Sequence, residues 1–94
     1  MAGKRERLQV IHDILRAMQA KNGPMKPTHI LYKANLSSQM LKGYLLFLLK
    51  EGFIEKQNEG RKQTYQLTIK GYEYLSKYRH VREFMELFSL EESE

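Results

Sequence analysis

Residues 35–55 read NLSSQMLKGYLLFLLKEGFIE, and the fold of the whole chain turns on this stretch. Ser37 stands where a helix N-cap belongs, because its short hydroxyl side chain can accept a backbone N–H from the first turn. Leu36 and Leu41 then occupy the N′ and N4 positions of a hydrophobic staple. Leu41, Leu45, Leu48 and Leu49 recur at helical spacing and predict one buried stripe. Gly52 suits the left-handed exit from a helix, and the apolar Phe53 follows it. The stretch therefore predicts a capped helix that ends on a glycine and runs directly into a strand.

Working upstream, Leu8, Ile11, Ile14, Leu15 and Met18 predict a first helix from about Lys4 to Ala20, with charges between the apolar positions. Asn22-Gly23-Pro24-Met25-Lys26-Pro27 stops it. Pro27 suits the first turn of a short second helix over Thr28–Ala34, where its missing N–H costs nothing. Ile30 and Leu31 are that helix's expected core residues, Tyr32 is expected to cover them, and Asn35 ends it. Downstream, Phe53–Gln57 and Lys62–Leu67 read as two strands, joined by turn chemistry in Asn58-Glu59-Gly60-Arg61. Alternation places Tyr65 and Leu67 on the buried face. Thr68 caps a last helix from about Ile69 to Phe88. Gly71 in its first turn costs about 1 kcal/mol relative to alanine, which implies close packing there. The order is helix, helix, helix, strand, strand, helix, with no internal repeat.

Ninety-four residues fit one domain, and a chain this short builds only a modest core. The absence of cysteine excludes disulfides, thiolate metal sites and cysteine nucleophiles. His12, His29 and His80 lack metal-ligand spacing, so no metal site is expected. There is no Gly-rich phosphate loop and no spaced carboxylate pair, so no catalysis, cofactor or small-molecule substrate is expected. Asn35-Leu36-Ser37 matches a glycosylation sequon, a match short enough to arise by chance. No apolar run approaches a membrane span and the N-terminus lacks a signal-peptide core, so the expected location is inside the cell. The charge is uneven. Residues 1–82 hold all sixteen bases and six acids, a net of +10; residues 83–94 hold five acids and no base. A basic body suits a polyanionic partner, since each neutralised phosphate releases condensed counterions, although basic domains also exist simply as soluble ones.

Tyr74, Tyr78, Val81, Met85 and Phe88 follow one another at intervals of four, three, four and three, the rhythm of a coiled-coil seam. Tyr72 and Leu75 are assigned to the domain's own core. On a lone domain Val81, Phe84, Met85, Leu87 and Phe88 would form an exposed apolar patch, and a two-fold partner helix would bury it. The competing reading folds this helix back onto its own core.

Three segments together carry a resemblance: Asn35-Leu36-Ser37 with the leucine helix after it, Glu51-Gly52-Phe53-Ile54-Glu55, and Tyr65-Gln66-Leu67-Thr68-Ile69-Lys70-Gly71. They resemble the marks of the winged-helix fold. Over roughly residues 5–88 the chain is similar to small archaeal winged-helix DNA-binding proteins that dimerise through a long C-terminal helix. The resemblance implies a mainly α protein with a small β-hairpin: a winged helix-turn-helix domain over residues 1–76, a dimerisation helix over 69–88 continuing from it, and an acidic tail over 89–94, expected to fray. It implies double-stranded DNA as the partner and a homodimer as the working form, in the cytoplasm with the nucleoid.

In that arrangement the third helix enters the major groove. Ser37, Ser38, Gln39, Lys42, Gly43 and Lys50 are left outside its leucine stripe. Gln39 suits an adenine edge, while Ser38 and Lys42 suit a base or a phosphate. Gly43 either allows close backbone approach or is a tolerated poor helix residue. Lys26 and Lys33 around the second helix are expected on the DNA side with Lys42, and Arg61 and Lys62 on the wing are expected to reach phosphates or a minor groove; the wing also reads as a merely solvated charged turn. Leu46 and Phe47 depart from the pattern, because they too lie toward the outer side. The third helix has no arginine, the commonest guanine reader. Affinity should therefore come mostly from phosphates, with weak sequence preference, as suits an architectural chromatin protein; a transcription regulator remains open. The alternative is a winged helix that binds protein rather than DNA.

Overall fold

The boundaries of the three body helices are set by local backbone chemistry. The computed structural model describes residues 6–87, except the side chains of Glu59 and Met85; Lys4, Arg5, Phe88 and the 89–94 tail lie outside the described residues. Helix α1 spans Arg7–Lys21, α2 Pro27–Ala34 and α3 Ser38–Glu51; strands β1 (Ile54–Glu59) and β2 (Lys62–Leu67) follow, and α4 spans Ile69–Leu87. Asn22, Asn35 and Gly52 end the first three helices in the left-handed region. At the ends of α2 and α3 the two closing bonds of a Schellman motif form: Leu36 N–H donates to Leu31 O and Phe53 N–H to Leu48 O, at 3.1 and 3.0 Å, beside the Asn35 and Gly52 bonds. Ser37 caps α3 as its sequence predicts, accepting the Met40 N–H at 3.2 Å. Leu36 and Leu41 are both buried, as a staple requires.

The hairpin is tighter than its sequence suggests. Glu59 pairs with Lys62, so the turn uses only Gly60 and Arg61, and β1 runs to Glu59 instead of stopping at Gln57. Gly60 takes φ +63° at the first turn position, the position a type II′ turn reserves for glycine. Tyr65 and Leu67 are buried, as alternation predicts. Met25 adds a bridge absent from the sequence reading: its N–H donates to Tyr65 O at 2.8 Å and its carbonyl accepts the Tyr65 N–H at 2.9 Å. The α1–α2 connector is thereby bonded to the sheet as a one-residue third strand.

The core gathers Val10, Ile11, Ile14, Leu15 and Met18 from α1, Ile30 and Ala34 from α2, Leu41, Leu45 and Leu48 from α3, with Met25, Leu36, Ile54, Tyr65, Leu67 and Leu75. Four expectations change. Helix α1 begins at Arg7, and Leu8 in its first turn is exposed while Val10 is buried. Tyr32 does not cover Ile30; it is 76% exposed, on the side of α2 away from the core. Tyr72 is 41% exposed, one residue out of phase with the buried Gly71 and Leu75. Leu49 is only half-buried.

Helix α4 is docked by its first turn. Thr68 accepts the Gly71 N–H at 3.2 Å and donates its hydroxyl to Gly52 O at 2.6 Å, joining the start of α4 to the end of α3. Lys70 Nζ donates to Glu51 O at 2.7 Å and lies 4.8 Å from the Phe53 ring centroid. A Cβ on Gly71 would strike the Phe53 carbonyl oxygen and come within 3.0 Å of Leu67 Cδ2. The glycine is therefore what lets α4 lie this close to the strand.

Candidate nucleic-acid interface

Helix α3 is two-faced. Its leucines face the core, while Ser38, Gln39, Lys42, Gly43, Leu46 and Lys50 are all exposed. Gln39, Gly43, Leu46 and Lys50 follow one another at intervals of four, three and four, and Lys42 stands four before Leu46, so they share one outward strip. Nothing lies within 4 Å of the place a Gly43 Cβ would take, and no described segment of the chain plugs this strip. Ser37 stands at its head, with its hydroxyl oxygen accepting the cap bond. Leu46, 62% exposed, sits in the middle of the polar residues. Phe47 differs: it is half-buried against the core, with the Arg7 guanidinium 4.6 Å from its ring centroid and 6.0 Å from that of Tyr44. The start of α1 thus covers one flank of α3 with an arginine, a role the sequence reading does not assign.

The other candidate bases stand on other elements. Lys26 is the exposed N-cap residue of α2. Lys33, in the last turn of α2, lines the groove between α1 and α2 with Asp13, Arg16, Lys21 and His29. Arg61 and Lys62 are exposed at the hairpin tip. Lys50 is exposed as the next outward position of α3 after Leu46, and Tyr32 is exposed on α2; the exposure of Tyr32 was hidden by its assignment to the core.

The expected seam divides. Tyr74 and Tyr78 are half-buried within the chain. Tyr78 stacks on His12 with centroids 3.8 Å apart and donates its hydroxyl to Gln9 Oε1 at 3.2 Å. Tyr74 packs edge-on to Phe53 at 5.5 Å. Burial holds the His12 imidazole below its ordinary 6.5, and Arg16 and Arg82 push the same way while Asp13 opposes them. Beyond Tyr78, Val81 and Phe84 are each 57% exposed and Leu87 77%. Leu8 joins Tyr74, Tyr78 and Val81 in lining a shallow apolar groove between α1 and α4. The Met85 side chain and Phe88 lie outside the described residues.

Among the described residues no helix is long and apolar enough to cross a membrane, and no group of three or more His, Cys, Asp or Glu could hold a metal ion.

Comparison with known proteins agrees with this architecture. A family model described as winged helix-turn-helix matches residues 4–86. An uncharacterized protein of Methanocaldococcus jannaschii is 37% identical over 78 residues, which are 83% of this chain and 34% of that protein. The chain thus spans about a third of this relative's length. Among solved structures, the fold matches Sso10a-2, a DNA-binding protein from Sulfolobus solfataricus, with TM-score 0.70 and 21% identity, covering 96% of this chain and 100% of that one. It also matches an S. aureus MepR mutant bound to an oligodeoxyribonucleotide, with TM-score 0.76 and 13% identity, covering 90% of this chain and 64% of that one. At these identities the likeness is one of fold.

Proposed function

This chain belongs to the winged helix-turn-helix family, and from that premise we propose that it binds double-stranded DNA as a homodimer, with α3 in the major groove. The observation that carries the reading is the open outward strip of α3. A surface with exposed Gln39, Lys42 and Lys50 and free space at Gly43 suits entry into a groove about 12 Å wide. Ser38 and Lys42 would meet bases or phosphates, Gln39 an adenine edge, and Arg61 and Lys62 of the wing, with Lys26, the flanking phosphates. Lys33 is the weakest member of this set, because it lines the α1–α2 groove beside Asp13. The Sulfolobus protein of the same fold, described as DNA-binding, lends the reading support.

Val81, Phe84 and Leu87 suit burial against a second copy, together with Leu8, Met85 and Phe88. Tyr74 and Tyr78 would support that surface from beneath, since their rings already pack within the chain. Two-fold pairing would double the phosphate contacts and set the distance between two recognition helices. With no arginine on α3, phosphates should dominate affinity, so an architectural role is favoured over reading of a defined operator.

Titration against random-sequence duplex DNA at two salt concentrations tests the proposal. Expected is micromolar binding at low salt that weakens steeply as salt rises, because counterion release sets the slope. No binding at low salt overturns it. That outcome would favour a protein-binding winged helix, the reading to which exposed Leu46 and Tyr32 would then belong.

A further inference from the structure

Leu46 has no role in the core and none in the phosphate contacts, yet it occupies the centre of the outward strip of α3. Its neighbours there are Lys42 and Gly43 on the turn before and Lys50 on the turn after. A helical side chain leans over the turn N-terminal to its own Cα. For Leu46 that turn carries Gly43, which has no side chain to fill the space. The result is an apolar knob framed by two cations, with Gln39 further along the same strip.

We propose that Leu46 is a specificity-determining residue that packs against the C5-methyl groups of thymines in the major groove, giving the protein a preference for A·T pairs. The inference rests on the DNA-binding reading above and deepens it. The thymine methyl is the apolar group displayed on the base edges of the major groove. Lys42 and Lys50 would draw the strip onto the phosphates on either side, which brings Leu46 to the groove floor. Gln39 can pair with the N6 and N7 edge of adenine, so both residues favour the same base pairs. Weak preference is expected, since a methyl contact discriminates by apolar area alone.

Competition between two A·T-rich duplexes of identical sequence, one with thymine and one with deoxyuridine throughout, isolates the methyl group. The parent protein should bind the thymine duplex about three- to five-fold more tightly, the fold-change that burial of one methyl group is worth. Leu46→Ala should bind both duplexes equally. Lys42→Gln should weaken both while keeping the ratio. Because Leu46 is exposed, its replacement should leave the thermal midpoint unchanged, and circular dichroism checks this. Equal affinity of the parent for the two duplexes overturns the inference and leaves the DNA-binding reading standing. A ratio that persists in Leu46→Ala also overturns it. Failure of the parent to bind either duplex at low salt overturns both.

Discussion

The two ends of α4 are one continuous helix with opposite surroundings. At its start, Gly71 and Leu75 are buried, Thr68 is bonded to the end of α3, and Lys70 reaches the Glu51 carbonyl in the last turn of that helix. At its far end, Val81, Phe84 and Leu87 are as apolar as the residues before them and stand exposed. The difference is one of coverage. Leu75 lies where α4 still runs beside the body, and Tyr78 stacks on His12 of α1. Hydrophobicity therefore marks which residues need cover, and the path of the neighbouring elements decides which of them receive it inside one chain. The exposed Val81 and Leu87 are the positions on which the proposed pairing of two copies can be tested.

Substitutions along α4 test this division. Leu75→Ala should cost the most, about 2–5 kcal/mol, because it leaves a cavity in a closed core; chemical denaturation measures it, and a loss under 1 kcal/mol would mean that the start of α4 is not docked as described. Gly71→Ala should cost about 1–3 kcal/mol, since the added Cβ meets a backbone carbonyl that cannot move without moving the strand. If it instead stabilised the fold, as alanine does in an open helix, the close approach would be wrong.

The junction residue His12 gives a smaller, pH-dependent effect. Its folded pKa lies below the ordinary 6.5, so folding favours the neutral ring. Its contribution is full above pH 6.5 and is lost as pH falls through the folded value. The thermal midpoint should therefore decline between pH 7 and pH 5, and His12→Asn should flatten that decline. An equal decline in both proteins would assign the effect to other groups.

Val81→Glu should change subunit stability least, within about 0.5 kcal/mol in dilute solution, because the position is exposed. Its effect should show instead in sedimentation, where the parent runs as a dimer and the variant as a monomer. A parent that sediments as a monomer would remove the dimer proposal and leave the exposed end of α4 to another partner.

The order of the body's elements, the ends of α2 and α3 and the existence of the hairpin were legible in the sequence because each is a short-range event, while the start of α1 and the length of β1 were not. A hydroxyl at Ser37, an asparagine or glycine in the left-handed region, and the staple pair Leu36 and Leu41 act within a few residues of chain. The two-faced character of α3, and with it the outward Gln39, Lys42, Gly43 and Leu46, was legible for the same reason: periodicity assigns faces without knowing what covers them. Tyr32, Leu8 and Tyr72 were misassigned because each sits at the margin of an apolar stripe, where a shift of one residue in phase or a later helix start decides exposure. The Met25 bridge was invisible, since its partner Tyr65 lies 40 residues away and nothing in either side chain announces a backbone pairing.

Sequence alone thus determined the element order, the capping, the basic body and the face that α3 turns outward, all consequences of local chemistry and composition. Tertiary structure decided that Lys33 lines the α1–α2 groove, that Arg7 covers Phe47, that Tyr74 and Tyr78 pack inward, and where along α4 coverage ends. Those outcomes depend on the relative placement of elements far apart in the chain, which is settled only when the core closes.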